Sequence, residues 1–386
     1  MTGGSGTRQV DVAVIGGGIA GAATAAFLAG AGARVRLYDR TGIGAAASGR
    51  NSGVVQHPFD ALLAGLYRES LDHYRALAED DPDAFRLGAD PAGLLAVDGG
   101  GGEAARATAE AWRVAYPESR PEIVEGADLR RLEPELAAGI VACRLAIGYP
   151  VGPATATRAF AALAVRRGAE VRLGSDVGLA VREANVVGVA TDGGLEPAGA
   201  VVVAAGPWTP RIVDPSGAWR PIRPVWGVVA AVGLDRPPGH VLEEAEIDIE
   251  PADEAAGTGS AAGGAFGFSL VTADGSSVLG STFLDDEPVA ESLVDELRAR
   301  GSRFVPSIAA ARVVGVRSCA RPLAADRRPL VGRLAGRDGA FVVAGHGPWG
   351  ISTGPATARM VADLVLGREA RIPAALDPAR FGEVRG

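Results

Sequence analysis

A chain of 386 residues with 47% hydrophobic and 22% charged residues is long enough for two or three domains and has the composition of an ordinary globular protein. Its net charge of −8, without any local basic cluster, argues against a nucleic-acid partner and against an anionic membrane surface. All 38 lysine-plus-arginine residues are arginine, which excludes pyridoxal phosphate enzymes and P-loop NTPases because both need a lysine.

The uncharged stretch from residue 12 to residue 33 is long enough to cross a membrane. Four glycines between residues 16 and 21 would cost such a helix roughly 3–4 kcal/mol relative to alanine, and the acidic residue directly before the stretch does not match a secretory signal. The two cysteines, Cys143 and Cys319, make no disulfide framework. We therefore expect no transmembrane segment and a cytoplasmic location.

The same stretch predicts a strand, a tight turn, a helix and a second strand. Gly16, Gly18 and Gly21 form the turn, where small residues let the backbone approach a pyrophosphate at the helix N-terminus. Asp39 follows about twenty residues later, where a carboxylate can accept from a ribose 2′-hydroxyl. This pattern predicts dinucleotide binding; the alternative is a glycine-rich turn without a ligand. The predicted elements are the strand Val12–Ile15, the helix Ala22–Ala29 and the strand Val35–Tyr38.

Further elements of the nucleotide site are predicted far along the chain. The segment Gly44–Gly53 is rich in small residues and polar donors. A site built from three separated segments is unlike most nicotinamide dehydrogenases, whose binding domain is contiguous. The later predicted elements are the helix Ala154–Arg167, the strand Ala169–Leu173, a hairpin of Val186–Thr191 with Leu195, the strands Val201–Ala205 and Phe341–Ala344, and the helix Ala356–Leu366.

Five motifs along nearly the whole chain follow the order GGGIAG, ASGRNSG, VVVAAGPW, ARPLAADRRPLVG and GHGPWGIS. This order resembles the FAD-dependent D-amino-acid oxidase family, and within it the glycine oxidase, D-amino-acid dehydrogenase and sarcosine oxidase branch. Aromatic hydroxylases carry a Gly-Asp motif in place of Gly345-His346, and disulfide reductases need a CxxC, which the chain lacks.

The resemblance implies an α/β fold in which a discontinuous Rossmann-like FAD-binding domain is joined to a second, mixed-sheet α+β substrate domain. The sheet of the second domain would cover the flavin. The implied boundaries are 1–85, 146–214 and 315–386 for the FAD-binding domain, and 86–145 and 215–314 for the substrate domain.

The resemblance also implies FAD contacts at the glycine turn, at the ribose, along the small-residue segment and at the N1 and O2 edge of the flavin. Each polar residue could instead fill a turn or cap role, and Ser48 or Ser52 could simply be helix caps. The implied cofactor-binding residues are Gly16, Gly18, Gly21, Asp39, Arg40, Ser48, Arg50, Asn51, Ser52, Val177, Gly206, Cys319, Gly347, Trp349, Gly350, Ile351 and Ser352.

The implied reaction is oxidation of the C–N bond of an amino acid or secondary amine by hydride transfer to flavin N5, which gives an imine. Arg321 lies where the glycine oxidase branch has its carboxylate-binding arginine, and arginine suits a bidentate carboxylate contact. The alternative is a structural ion pair with Asp326, in which case Arg317 would be the candidate. His346 would orient the substrate or a water, or would only pack locally.

Three departures from relatives bear on the substrate and the acceptor. Phe268 falls near where relatives often place a tyrosine that touches the substrate carboxylate, which suggests a substrate bulkier than glycine. The chain lacks the lysine that sarcosine oxidases use beside the flavin, so the electron acceptor is either oxygen, handled differently, or another molecule. Cys319 has the spacing from Asp326 at which the sarcosine oxidase branch attaches FAD covalently; the alternative is a buried, inert thiol.

The remaining charged segments predict no further site. The four histidines are scattered without metal-ligand spacing, so we expect no metal. The acidic stretch Glu243–Glu254 is predicted to be a solvated surface loop, and Gly257–Gly267 a mobile connection.

Three other functions stay open on the sequence. GRNSGVV also looks like the flavin loop of 2-hydroxyglutarate dehydrogenases, which favours an FAD-dependent 2-hydroxy-acid dehydrogenase. A tailoring oxidase that acts on an amine in a larger natural product is a second alternative. A flavin-binding or regulatory protein without turnover is the third.

Overall fold

Two eight-stranded sheets and a two-stranded sheet organise the computed structural model of this chain, which describes residues 10–245 and 265–384. The strands are β1 (Val10–Ile15), β2 (Val35–Asp39), β3 (Val54–Val55), β4 (Leu94–Asp98), β5 (Glu122–Glu125), β6 (Val141–Leu145), β7 (Tyr149–Pro150), β8 (Glu170–Leu173), β9 (Gly178–Arg182), β10 (Asn185–Thr191), β11 (Gly194–Val203), β12 (Ile222–Gly233), β13 (Val241–Glu244), β14 (Ala265–Ala273), β15 (Ser276–Phe283), β16 (Arg312–Ala324), β17 (Leu330–Arg333) and β18 (Ala340–Ala344). The helices are α1 (Ile19–Gly30), α2 (Ala47–Arg50), α3 (Ala61–Asp80), α4 (Glu103–Ala115), α5 (Gly126–Leu132), α6 (Thr155–Arg166), α7 (Thr209–Val213), α8 (Val294–Ser302) and α9 (Gly350–Val365).

The first sheet has a parallel centre, with β1 between β11 and β2, and β18 and β8 outside them. Strand β17 adds an antiparallel edge, and the hairpin β9–β10 continues from β11. Helix α1 packs between this sheet and the helices α6 and α9, and its many alanines allow the close approach. In such open sheets the ligand site lies beyond the carboxyl ends of the strands, and β1 ends at the glycine turn.

The second sheet has the strand order β16-β12-β15-β14-β13-β4-β6-β5 and is antiparallel except for the pair β13–β4. One of its faces packs against α8 through a core that contains Phe268, Leu279, Leu297 and Phe304. The other face is directed at the first domain, because Arg317 on this face donates from Nη2 to the carbonyl oxygen of Asn51. Strands β3 and β7 form the small sheet, and along the sequence they stand where the chain passes from the first large sheet to the second and back again.

This architecture is the expected α/β fold, with a Rossmann-like first sheet and a mixed second sheet. Strand β16 crosses the boundary predicted at residue 315 and lies wholly in the second sheet, since it pairs with β12 from Arg312 to Ala324. The two predicted strands around Leu195 and Val201 are one long strand, β11.

Helix α9 begins six residues before the predicted start at Ala356, and Pro355 lies inside it. Proline has no N–H to donate to the carbonyl four residues earlier, which is that of Ile351. The hydroxyl of Tyr74 donates to this carbonyl instead, at 2.7 Å, so the helix continues through the proline.

The predicted surface loop at Glu243–Glu254 is wrong at its start, because Glu243 and Glu244 are the last residues of β13 and are partly buried. The rest of that stretch beyond Ala245 lies outside the described residues, as does the predicted connection Gly257–Gly267 up to residue 264. Among the helices of the described residues, none combines the length and apolar character that a membrane crossing requires. Within the same ranges, no cluster of His, Cys, Asp and Glu side chains could hold a metal ion.

Candidate active site

A deep cleft runs between the carboxyl ends of the first sheet and the inner face of the second sheet. The first domain contributes the glycine turn, Asp39 and the start of α9, whereas the second sheet contributes Trp226 and part of β16. Many of the predicted residues line it: Gly16, Gly18, Asp39, Arg40, Ser48, Arg50, Asn51, Val177, Gly206, Cys319, Arg321, His346, Gly347, Gly350 and Ile351.

The glycine turn fits close approach of a ligand to the backbone. Gly16 has φ +115°, which residues with a side chain rarely adopt, and a Cβ there would overlap the carbonyl of Ala204, the residue directly after the neighbouring strand β11. A Cβ on Gly21 would overlap the carbonyl oxygen of Gly16, so this glycine serves the packing of α1 against the turn. Gly18 borders the cleft beside the hydroxyl of Ser48. Because these glycines carry no side chain, a phosphate group fits against the backbone of the turn, and we call this surface the glycine cradle.

Two polar side chains fix the cleft wall at this turn. One oxygen of Asp39 accepts from the amide of Gly17 at 2.7 Å, and the other accepts from the amides of Thr41 and Gly42. The Ser48 hydroxyl accepts from the amide of Ile19 at 3.0 Å, which leaves its hydrogen free for a ligand oxygen. The carboxylate is therefore held by the backbone in one orientation at the edge of the cleft.

The segment around α2 is held in its conformation by hydrogen bonds among its own residues. The Asn51 amide donates to the carbonyl oxygens of Ala47 and Ser48 and accepts from the amide of Gly53, so its side chain ends α2. Arg50 donates from Nη1 to the carbonyl of Ser318 at 3.3 Å, which ties this segment to β16.

Arg321 is the principal cation of the second domain's wall. Its Nη1 donates to the carbonyl of Thr282 at 2.8 Å, its Nη2 donates to the Ser281 hydroxyl at 3.0 Å, and its guanidinium carbon lies 4.5 Å from the centre of the Phe283 ring. Gly227 on β12 provides the space, since a Cβ there would overlap the guanidinium. Burial lowers the pKa of Arg321.

The predicted alternative for Arg321, an ion pair with Asp326, does not form. Asp326 pairs instead with Arg380, at 2.6 Å. Within residues 10–245 and 265–384, no carboxylate pairs with Arg321, so its remaining N–H donors are available to a ligand. Arg317 is less suited, because it is not among the residues that line the cleft.

Cys319 lies on the same strand, two residues before Arg321, and lines the cleft while being 6% exposed. Burial raises the pKa of its thiol, and the nearby Arg321, Arg50 and Arg317 oppose this effect. A buried, protonated thiol is a poor nucleophile.

His346 is buried at the cleft wall, and its Nε2 lies 2.8 Å from the Thr357 hydroxyl. That hydroxyl donates to the carbonyl of Gly354 at 2.9 Å, so the His346 Nε2 carries the hydrogen of the pair. The other ring nitrogen is then an unprotonated acceptor. Burial lowers the pKa of His346 to about 4, which keeps the ring neutral at neutral pH.

Five of the predicted residues do not line the cleft: Gly21, Ser52, Phe268, Trp349 and Ser352. Phe268 is 1% exposed and stacks on Phe304, with ring centroids 4.6 Å apart, on the outer face of the second sheet. Its ring points away from the first domain, so the predicted substrate contact is wrong. Trp349 packs against the core around α1, Ser52 is not part of the cleft wall, and the Ser352 hydroxyl accepts from the amide of Gln56 at 2.9 Å.

Other residues of the cleft wall escaped the sequence analysis. Trp208 stacks under the guanidinium of Arg40, at 5.3 Å, and directly follows the predicted Gly206-Pro207 turn, so the motif itself could have indicated it. Ser175 and Asp176 also line the wall and directly precede the predicted Val177. Arg211, Trp226 and Glu287 lie outside the quoted motifs, so only the tertiary structure brings them to the wall.

The comparisons agree with this geometry. Residues 11–364 match the family model of the DAO family, described as FAD-dependent oxidoreductases, and the chain therefore belongs to this family. It is 30% identical to a glycine oxidase of Geobacillus kaustophilus, over 98% of this chain and 98% of that protein. It is 29% identical to a glycine oxidase of Pseudomonas aeruginosa, over 96% and 97% of the two chains. The crystal structure of glycine oxidase from Geobacillus kaustophilus superposes with a TM-score of 0.80 at 26% identity, covering 98% of this chain and 99% of that one.

The cofactor of the family is FAD, and the glycine cradle with its fixed carboxylate fits a dinucleotide. FAD supplies a hydride acceptor when it is bound.

Proposed function

We propose that this FAD-dependent oxidoreductase oxidises the C–N bond of an amino acid or secondary amine that carries a carboxylate. The observation that supports this substrate class is Arg321, a partly buried cation that faces the cleft without an acidic partner among the described residues. Buried charges are normally paired, and a guanidinium binds a carboxylate through two parallel hydrogen bonds. A substrate carboxylate would complete this site and hold the adjacent C–H bond in place.

The proposed cofactor contacts follow the cleft wall. The pyrophosphate would lie at Gly16 and Gly18, with the Ser48 hydroxyl as a further donor, and Asp39 would accept from the ribose. The amides of Gly350 and Ile351, at the start of α9, would lie at the flavin edge that gains negative charge on reduction.

The neutral ring of His346 adds an acceptor to the same wall. Its unprotonated nitrogen would accept a hydrogen bond from a substrate N–H or from a water, and Thr357 would hold the ring in that tautomer. Because the pKa of His346 is about 4, we assign it a positioning role rather than that of a base.

Substitution of Arg321 tests the proposal. Arg321→Gln is expected to lower kcat/KM for amino acids about 100-fold or more, the effect of losing a buried charge pair of roughly 3 kcal/mol. Amines without a carboxylate should lose much less. Arg312→Gln, an exposed position at the start of the same strand, is the matched control. Equal losses for amines with and without a carboxylate would contradict the assignment.

A panel of amino acids with their 2-hydroxy analogues tests the bond that is oxidised. Turnover of the hydroxy acids in place of the amines would support the 2-hydroxy-acid dehydrogenase reading. The proposed acceptor is oxygen or another electron acceptor, and the yield of hydrogen peroxide per amine consumed distinguishes the two.

A cytoplasmic location is proposed from the two free, buried cysteines, Cys143 and Cys319.

A further inference from the structure

Glu243 is a partly buried carboxyl group to which the reaction above gives no role. Its Oε2 accepts from the Gln56 side-chain amide at 2.8 Å, and no cation within the described part of the chain pairs with it. Its neighbour Glu244 differs, since it forms an ion pair with Arg300 at 2.6 Å. Adjacent residues of a strand point to opposite faces of the sheet, so the two carboxyl groups have different environments.

The register of the second sheet places Glu243 on the same face as Arg321. Directly opposite residues lie on one face, and residues four apart along β16, such as Arg317 and Arg321, share a face. The row of opposite residues that starts at Glu243 runs through Ser269, Gly280, Val229 and Arg317. Glu243 and Arg321 therefore both lie on the face that is directed at the first sheet; Arg321 lines the cleft, whereas Glu243 lies on this face beyond the residues that line it.

A hydrogen-bond chain links Glu243 to the wall of the cleft. Gln56, which binds the carboxyl group through its side chain, donates its backbone amide to the Ser352 hydroxyl at 2.9 Å. Ser352 follows directly on Gly350 and Ile351, which line the cleft. The carboxyl group is thus two links away from the segment proposed to lie at the flavin edge.

The separation of the two groups follows from the strand order. The Arg321 guanidinium is bonded to Ser281 and Thr282 on β15, and Glu243 lies on β13, two strands further along the sheet. Neighbouring strands are about 4.8 Å apart, so the two sites are about 10 Å apart across the sheet.

An ionised Glu243 would be a partly buried negative charge without a cation beside it among the described residues. Burial raises the pKa of Glu243 to about 7, and the neutral Gln56 amide lowers it only in part. The neighbours on its face in the flanking strands are Ala96 and Ser269, so no titratable side chain faces it from β4 or β14. A cationic ligand would restore the ion pair that is missing here.

We propose that Glu243 binds a cationic nitrogen at the distal end of the substrate, while Arg321 binds the carboxylate. The inference rests on the proposed function and narrows its substrate class to amino acids with a basic side chain, or to larger amines with a cation at a similar distance from the carboxylate. Glu243 is then a specificity-determining residue, and it takes no part in the transfer of the hydride.

A matched pair of substrates tests this specificity. Lysine and norleucine have side chains of similar length, and only lysine carries a distal ammonium group. For the reactive enantiomer, the wild-type enzyme should prefer lysine in kcat/KM, and Glu243→Gln should reduce this preference at least tenfold, mainly through KM. Glu244→Gln, which changes the adjacent carboxyl group on the other face, should leave the preference unchanged. A preference for norleucine, or a preference that survives Glu243→Gln, would overturn the inference.

A binding measurement gives an answer without turnover. 6-Aminohexanoate carries both charged groups, whereas hexanoate carries only the carboxylate. The former should raise the Tm of the holoenzyme more than the latter, and Glu243→Gln should remove the difference. The advantage should also fade below about pH 7, because the protonated carboxyl group no longer attracts a cation.

The outcomes separate this inference from the proposed function. Equal stabilisation by the two ligands, lost in Arg321→Gln, would overturn the distal cation site and leave the carboxylate site standing. No stabilisation by either ligand together with no oxidation of any amine would overturn the proposed function, and this inference with it.

Discussion

The imidazole Nε2 of His346 lies 2.8 Å from the hydroxyl of Thr357, eleven residues later in the chain, and this contact fixes the ring at the wall of the cleft. Burial lowers the pKa of His346 to about 4, below the ordinary value of 6.5. Between these two pH values the unfolded chain binds a proton that the folded chain does not bind. The free energy of unfolding therefore falls as the pH decreases from 6.5 to 4.

His346→Gln should make stability less dependent on pH over this range, since the variant lacks the titrating group. Chemical denaturation at several pH values between 4 and 7.5 measures the slope. The burial of His57 and His73 also lowers their pKa, so a residual slope is expected. A slope identical to that of the wild type would show that His346 titrates normally in the folded protein.

Tyr74→Phe removes the hydroxyl that serves the carbonyl of Ile351 inside α9. Because Pro355 cannot donate to this carbonyl, the variant leaves a buried acceptor without a partner, and we expect a loss of about 1–3 kcal/mol in the free energy of unfolding. Urea unfolding measures this loss. Tyr116→Phe, which also removes one hydroxyl from a buried ring, is the control, and a loss no larger than that of the control would contradict the expectation.

Gly21→Ala should weaken both folding and cofactor retention. The new methyl group would overlap the carbonyl oxygen of Gly16, so α1 has to move away from the turn, at a cost of about 1–3 kcal/mol. Urea unfolding and the flavin absorbance relative to that of the protein measure the two effects. The control is Gly65→Ala in α3, where a Cβ would have no atom within 4 Å. This substitution should stabilise the helix by roughly 0.5–1 kcal/mol. Equal flavin content and stability in Gly21→Ala would rule out the proposed role of this contact.

The Cys319 thiol should remain unmodified when FAD is bound. Its pKa is raised by burial, so the thiolate that a covalent bond would need is scarce. After acid precipitation of the purified protein, we expect the flavin absorbance in the supernatant, both for the wild type and for Cys319→Ser. Flavin that stays with the wild-type pellet and is released from the variant would establish a covalent link.

Part of the candidate site was predictable from the sequence. Gly16, Gly18, Ser48 and Arg321 line the cleft as expected, because they belong to motifs whose spacing along the chain is itself the signal. Phe268 failed for a specific reason. A strand alternates between two faces, so an uncertainty of one residue in register exchanges the buried core face for the cleft face.

Residue spacing was enough to predict the class of fold and a dinucleotide site, and the resemblance of five motifs to the D-amino-acid oxidase family implied FAD. The apolar strands, the glycine turn and Asp39 lie within thirty residues of one another, and steric and electrostatic requirements at that range are read directly from residue spacing. The partners of the charged side chains, in contrast, depend on the tertiary structure. Asp326 pairs with Arg380, 54 residues away, which leaves Arg321 open, and Glu243 is set on the inner face by strands from distant parts of the chain. The physical reason is that ion pairing and burial depend on distances in space, which the register of the sheets creates.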